Sequence, residues 1–148
     1  MSLKVQFSSL SLGASVDQQT GSLSVFDVLD EIRTPQVPLQ LQSIVLTVLW
    51  EKTVAPAFEG KVFIHLFTPD QKQSLLGNGE LSVPVDQKRV KAVFRFGGFP
   101  IHHYGPHRFV ISWVNGNGAK EGEKIIDFEV VHVAQANDQQ IPPQNNLN

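Results

Sequence analysis

The stretch that decides the fold is RFVISWVNGNGAKEGEKIIDFEVVHV, residues 108–133. Phe109, Ile111 and Trp113 alternate with Val110, Ser112 and Val114, and a period of two predicts a β-strand. Asn115-Gly116-Asn117-Gly118 follows, four residues that tolerate positive φ and let the chain reverse. Ile126, Phe128 and Val130 then alternate with Asp127 and Glu129, which predicts a return strand with one dry and one wet face. A hairpin with this much apolar surface cannot stand alone in water. It needs a second layer, and the rest of the chain supplies short strands to build one.

Working back towards the N-terminus, Val5 and Phe7 alternate, then Leu10 and Leu12, and Ser8-Ser9 shifts the phase by one, which predicts a bulge or a change of face. Gly13 to Gly21, containing Asp17-Gln18-Gln19-Thr20-Gly21, reads as a turn. Leu23 to Ile32 mixes helical and strand spacing, and its short length before Pro35 favours a strand, with a helical turn at Asp30-Glu31 as an alternative ending. Ile44 to Trp50 is apolar in both phases, which predicts a central strand covered on both faces. Val62, Ile64 and Leu66 alternate with Phe63, His65 and Phe67, and Thr68-Pro69-Asp70-Gln71 turns the chain. Gly77-Asn78-Gly79 reads as a turn, Pro84 marks an edge strand, and 97–106 reads as a Gly/Pro-rich loop. The prediction is one all-β domain over 1–134, an antiparallel β-sandwich of about eight strands, immunoglobulin-like or jelly-roll-like. Residues 135–148, rich in Gln, Asn and Pro, are expected to form a disordered polar tail.

Composition narrows the function classes. The chain has 148 residues, enough to bury a core, and charged residues make up 18%, below the usual quarter or so. Its net charge is −2, and the densest basic run, Lys88-Arg89 with Lys91, reads as a solvated stripe on a strand, so no nucleic-acid partner is expected. There is no cysteine, which excludes disulfides, thiolate zinc sites, iron–sulfur clusters and cysteine nucleophiles. No apolar run reaches the ~18 residues of a membrane span, and the first residues lack the continuous apolar core of a signal peptide. The expected location is the cytoplasm, and no cofactor is expected.

Three segments together resemble a family of small uncharacterised bacterial proteins. They are Gly21-Ser22-Leu23-Ser24-Val25 with the following Phe26-Asp27, the Thr68-Pro69-Asp70 turn after Ile64 and Leu66, and Gly105 to Gly116 with its Arg108-Phe109-x-Ile111-x-Trp113-Val114-Asn115 core. That family pairs a Gly-Leu-x-Ile start with a Pro-Asp-Gly turn and a Gly-x-Tyr-x-Phe-x-Leu-x-Val-Asp-Gly hairpin, and the order spans most of Val16 to Val133. Gln71 stands where the family usually has Gly, and Arg108 where an aromatic is usual. The resemblance implies a β-sandwich and a bacterial source. It implies no activity and no functional residue.

The residues capable of chemistry are few. His102, His103 and His107 lie within six residues and are the candidate metal ligands, by imidazole chemistry. The plainer alternative is a solvated loop. Phe99, Tyr104 and His107 are the candidate ligand contacts, because aromatic side chains in a Gly/Pro-rich loop can meet a partner or a sugar ring. Trp50 and Trp113 could join such a platform, but each lies inside an apolar alternation and reads as core. Asp17, Asp70 and Asp86 sit singly, which argues against calcium. No Gly-x-Ser-x-Gly elbow is present, and no helix follows the glycine pairs to make a phosphate cradle. The leading expectation is a non-enzymatic binding module with a second copy or another protein as partner, using the two-faced strand at Ile44 to Trp50. The alternative is a metal- or carbohydrate-binding sandwich using the Phe99–His107 loop.

Overall fold

The deciding hairpin is present in full. The structure, a computed structural model, describes residues 2–135. Strand β8 (Gly105–Asn115) pairs antiparallel with β9 (Lys120–His132), Phe109 opposite Ile126 and Trp113 opposite Gly122. Before them come β1 (Leu3–Val16), β2 (Leu23–Val28), β3 (Glu31–Thr34), β4 (Leu39–Lys52), β5 (Phe58–Phe67), β6 (Gln73–Val83) and β7 (Arg89–Ile101). They form a four-stranded sheet, β2-β1-β4-β7, and a five-stranded sheet, β3-β9-β8-β5-β6. The all-β sandwich is therefore the fold, with nine strands among the described residues. The order β1-β4-β7 against β9-β8-β5 follows the immunoglobulin-like arrangement. One pairing departs from the antiparallel expectation: β3 runs parallel to β9, Ile32 beside Val130. The polar tail expected at 135–148 lies outside the described residues from 136 onward.

The core lies between the sheets. Ile44, Leu46, Val48 and Trp50 of β4 face Ile64 of β5, Phe109, Ile111 and Trp113 of β8, and Phe128 of β9. Trp50 and Trp113 meet edge to face with ring centroids 5.7 Å apart, a geometry that aligns a positive ring edge with a negative face. Phe109 is the hub of a second aromatic group, with Phe96, Phe99 and Phe128 at 6.4, 6.1 and 5.8 Å. Both tryptophans are core residues, as their alternation predicts.

The outward face of β4 is covered as well. Val45 and Thr47 are as buried as the core residues between them. Arg95 lies beside Val45 across the β4–β7 pair and donates from Nη2 to the Ala14 carbonyl at 2.7 Å. Lys91, beside Leu49, donates to the Gly21 carbonyl. These bonds bring the β1–β2 hairpin over the outside of β4 and tie it to β7. Lys88, Arg89 and Lys91 are exposed, as the solvated stripe predicts, and Lys91, with Arg95 further along β7, also clamps the hairpin. The phase shift in β1 is a bulge between Val5 and Phe7, a little earlier than Ser8-Ser9. With Gln6 left over, Leu3, Val5 and Leu10 all turn inward.

Two predicted loops are mostly strand. The 97–106 segment supplies the end of β7 and the start of β8, leaving only residues 102–104 between them. Gly97, Gly98 and Pro100 fit because β7 is an edge strand. The turn expected from Gly13 likewise begins only after Val16, where β1 ends. Gly77-Asn78-Gly79 lies inside β6, next to a bulge opposite Ile64 and His65.

Candidate functional site

Every strand of a two-sheet sandwich has an outer face, and on the five-stranded sheet that face sets apolar side chains among charged ones. Strand β5 sends Phe63, His65 and Phe67 outward, because Val62, Ile64 and Leu66 take the core side. Strand β8 sends out Arg108, Val110, Ser112 and Val114, and β9 adds Glu123, Ile125, Asp127 and Glu129. In register, Phe67 lies beside Arg108 and Arg108 beside Asp127; one step on, His65 lies beside Val110 and Val110 beside Ile125. Phe63, Phe67, Val110 and Val114 are half-buried, while Ile125 is 41% exposed.

Three hollows lie along this face and run together. The largest, about 890 Å³, is floored by Phe67, Val110 and Ile125 and walled by Pro69 and Pro106. A second, about 290 Å³, shares Phe67 and Val110 and reaches Val114. The third, about 460 Å³, continues from Val114 to Phe63 and Lys61. Two ion pairs lie on the face. The Arg108 guanidinium holds Asp127 through two bonds, 2.7 Å and 3.1 Å, and this carboxylate raises the Arg108 pKa. Lys120 Nζ lies 2.6 Å from Glu123 Oε2.

The residues singled out from the sequence sit elsewhere or point elsewhere. Phe99 is 5% exposed and packs on Phe109, so it presents no platform. Tyr104 is half-buried; its hydroxyl donates to the Thr34 carbonyl at 3.4 Å and its ring meets His132 edge to face. His107 is 2% exposed and stacks on Phe128 at 4.8 Å, with Nδ1 3.0 Å from the Gly105 carbonyl oxygen. Burial lowers its pKa below the ordinary 6.5, since a cationic imidazole loses its hydration there. Of the three, His107 alone lines the largest hollow.

The histidine trio is not drawn together. His102 is exposed in the short loop. His103 reaches Asp70 in the β5–β6 turn, Nε2 to Oδ2 3.5 Å. His107 points into the core because strand alternation sends it there beside Phe109. Among the described residues no group of three or more His, Asp or Glu side chains is placed to hold a metal ion. Asp70 itself is committed to its turn: the Thr68 hydroxyl and the Lys72 amide donate to it and lower its pKa. The outer-face residues were missed although the same test was at hand, since 62–67 is apolar in both phases, like Ile44 to Trp50.

A family model describing a family of unknown function, DUF6941, matches residues 6–142. The chain belongs to this family. A family without an assigned function is what the three sequence segments imply. No curated protein matches the chain. Among solved structures, a β-glucosidase from Listeria innocua in complex with glucose is 10% identical with a TM-score of 0.50, over 87% of this chain and 17% of that one. The alkylpurine DNA glycosylase AlkC from Pseudomonas fluorescens, bound to DNA containing an abasic site analog, is 12% identical with a TM-score of 0.50, over 87% of this chain and 30% of that one. The chain thus spans a minor part of either protein, and the likeness is one of fold alone. No helix among the described residues is long and apolar enough to cross a membrane.

Proposed function

We propose that this protein is a non-catalytic binding module of a bacterial protein family and that its working surface is the outer face of the five-stranded sheet. One observation carries the reading: three hollows run together on that face over a floor of half-buried Phe63, Phe67, Val110 and Val114. Contiguous apolar surface of this kind costs solubility unless something covers it. Four of the charges beside it are already paired, Arg108 with Asp127 and Lys120 with Glu123, so covering these strands no unpartnered ion. The strand at Ile44 to Trp50 does not serve this role, because the β1–β2 hairpin lies over it. The alternative reading, metal or carbohydrate at the Phe99–His107 loop, has no comparable support, since Phe99 and His107 face the core.

The test is site-specific photocrosslinking in cells. Ser112→p-benzoylphenylalanine places the probe in the middle of the face, and the same change at exposed Ser24 on the other sheet is the control. A discrete adduct from position 112, absent from position 24 and lost on Val110→Lys, is the expected result. A dimer-sized adduct identifies a second copy as the partner. Identical adducts from both positions, or none from 112, overturn the proposal.

A further inference from the structure

Resting on that reading, we infer that the largest hollow receives an extended segment of another protein bearing lysine or arginine at alternate positions. Its walls carry Asp30, Glu123, Asp127 and Glu129 against one cation, Arg108. Arg108 is spent on Asp127 by its two hydrogen bonds, and Glu123 is held by Lys120. Among the described residues no cation pairs with the Asp30 or Glu129 carboxylates. These two residues are neighbours, since the Glu129 amide donates to the Asp30 carbonyl at 3.1 Å. The hollow therefore has an apolar floor and a surplus of negative charge along one side.

The spacing specifies the shape of the partner. Glu123, Ile125, Asp127 and Glu129 are successive outward residues of one strand. Outward residues of a strand stand roughly 6.8 Å apart, and every second side chain of an extended peptide has the same repeat. A peptide laid along β9 can thus set an apolar group over Ile125 and a cation over Glu129 beside Asp30 in one register, its other cations falling at the already paired Glu123 and Asp127. A compact cation matches only one of these positions, and an anionic partner is repelled.

The probe is the heptapeptide acetyl-Lys-Ser-Leu-Ser-Lys-Ser-Lys-amide, followed by amide chemical shifts of the whole protein. The expected result is saturable shifts confined to β8 and β9 around Val110, Ile125 and Glu129. Asp30→Asn and Glu129→Gln, both exposed positions, should each weaken binding about threefold, the size of one exposed ion pair. Raising the salt from low to about 0.3 M should weaken it further. Equal shifts from acetyl-Glu-Ser-Leu-Ser-Glu-Ser-Glu-amide, equal shifts from spermidine, or indifference to both substitutions overturns the inference. A face that crosslinks from position 112 but ignores the lysine peptide overturns the cationic partner and leaves the interaction surface standing. Silence in both experiments overturns both.

Discussion

Gln71 carries a φ of 67°, and Gly118 a φ of 81°. The two turns share one plan. Thr68 and Lys72 close the first, Asn115 and Ala119 the second, and the left-handed residue comes last before the return strand. A side chain in that conformation costs about 1–2 kcal/mol, which glycine avoids at an entropic cost of roughly half that. Gln71→Gly should therefore stabilise the protein by about 0.5–1 kcal/mol, read as a rise of a few degrees in the thermal midpoint; an unchanged or lower midpoint refutes the account. Lys52 makes the opposite case. It is 8% exposed, and its Nζ donates to the carbonyls of Ala55, Pro84 and Val85, clipping the β4–β5 and β6–β7 connections together. Lys52→Met leaves those carbonyls unserved and should cost about 2–3 kcal/mol in urea unfolding. A loss below about 0.5 kcal/mol would show that water replaces the ammonium without penalty.

Strands β8 and β9 are held in place by a fit at the element scale. Opposite Trp113 the partner residue is Gly122, and a Cβ there would stand 2.5 Å from the indole Cζ2. Gly122→Ala should cost about 1–3 kcal/mol through overpacking, with a changed tryptophan emission as the local readout. His107 makes the same hairpin sensitive to acid. Its pKa is lowered on folding, so the neutral ring is what the fold accommodates. Stability is present above the unfolded value near 6.5 and is lost as pH falls through it, at up to about 1.4 kcal/mol per pH unit. His107→Leu should flatten the urea midpoint between pH 7 and 5; a slope equal to that of the wild type assigns the acid sensitivity to other groups. The elements were legible because alternation is a property of neighbouring residues: β4, β5, β8 and β9 all declare themselves. The exact place of the bulge at Gln6, the strand ends at Gly97–Ile101 and the fate of His107 were not, since each depends on which distant strand lies alongside. A histidine in a loop and a histidine on the dry side of a strand have the same spacing in sequence, and only the start of β8 at Gly105 separates them.

On the scale of the molecule, the two sheets bury their outer faces differently. The four-stranded sheet folds its own hairpin over β4, while the five-stranded sheet leaves Phe63, Phe67, Val110 and Val114 under three open hollows. Polar substitution on the open face should thus leave the fold intact. Val110→Lys is expected to shift the thermal midpoint by no more than about 2 °C, whereas Val45→Lys under the hairpin should unfold the protein or lower the midpoint by about 10 °C or more. Comparable losses at both positions would mean that the two faces are equally part of the core.

The parallel pair at the edge of the larger sheet joins residues 31–34 to residues 129–132. During synthesis on the ribosome, β3 emerges early and has no partner until almost the last strand follows it out. The first strands can close their own sheet in the meantime, but the larger sheet cannot gain its final edge. A chain interrupted anywhere before β9 exposes both the edge of β8 and the orphan β3. A premature stop in the last fifth of the described chain is thereby a lesion of the whole sandwich, and such a fragment is a substrate for chaperones and proteases.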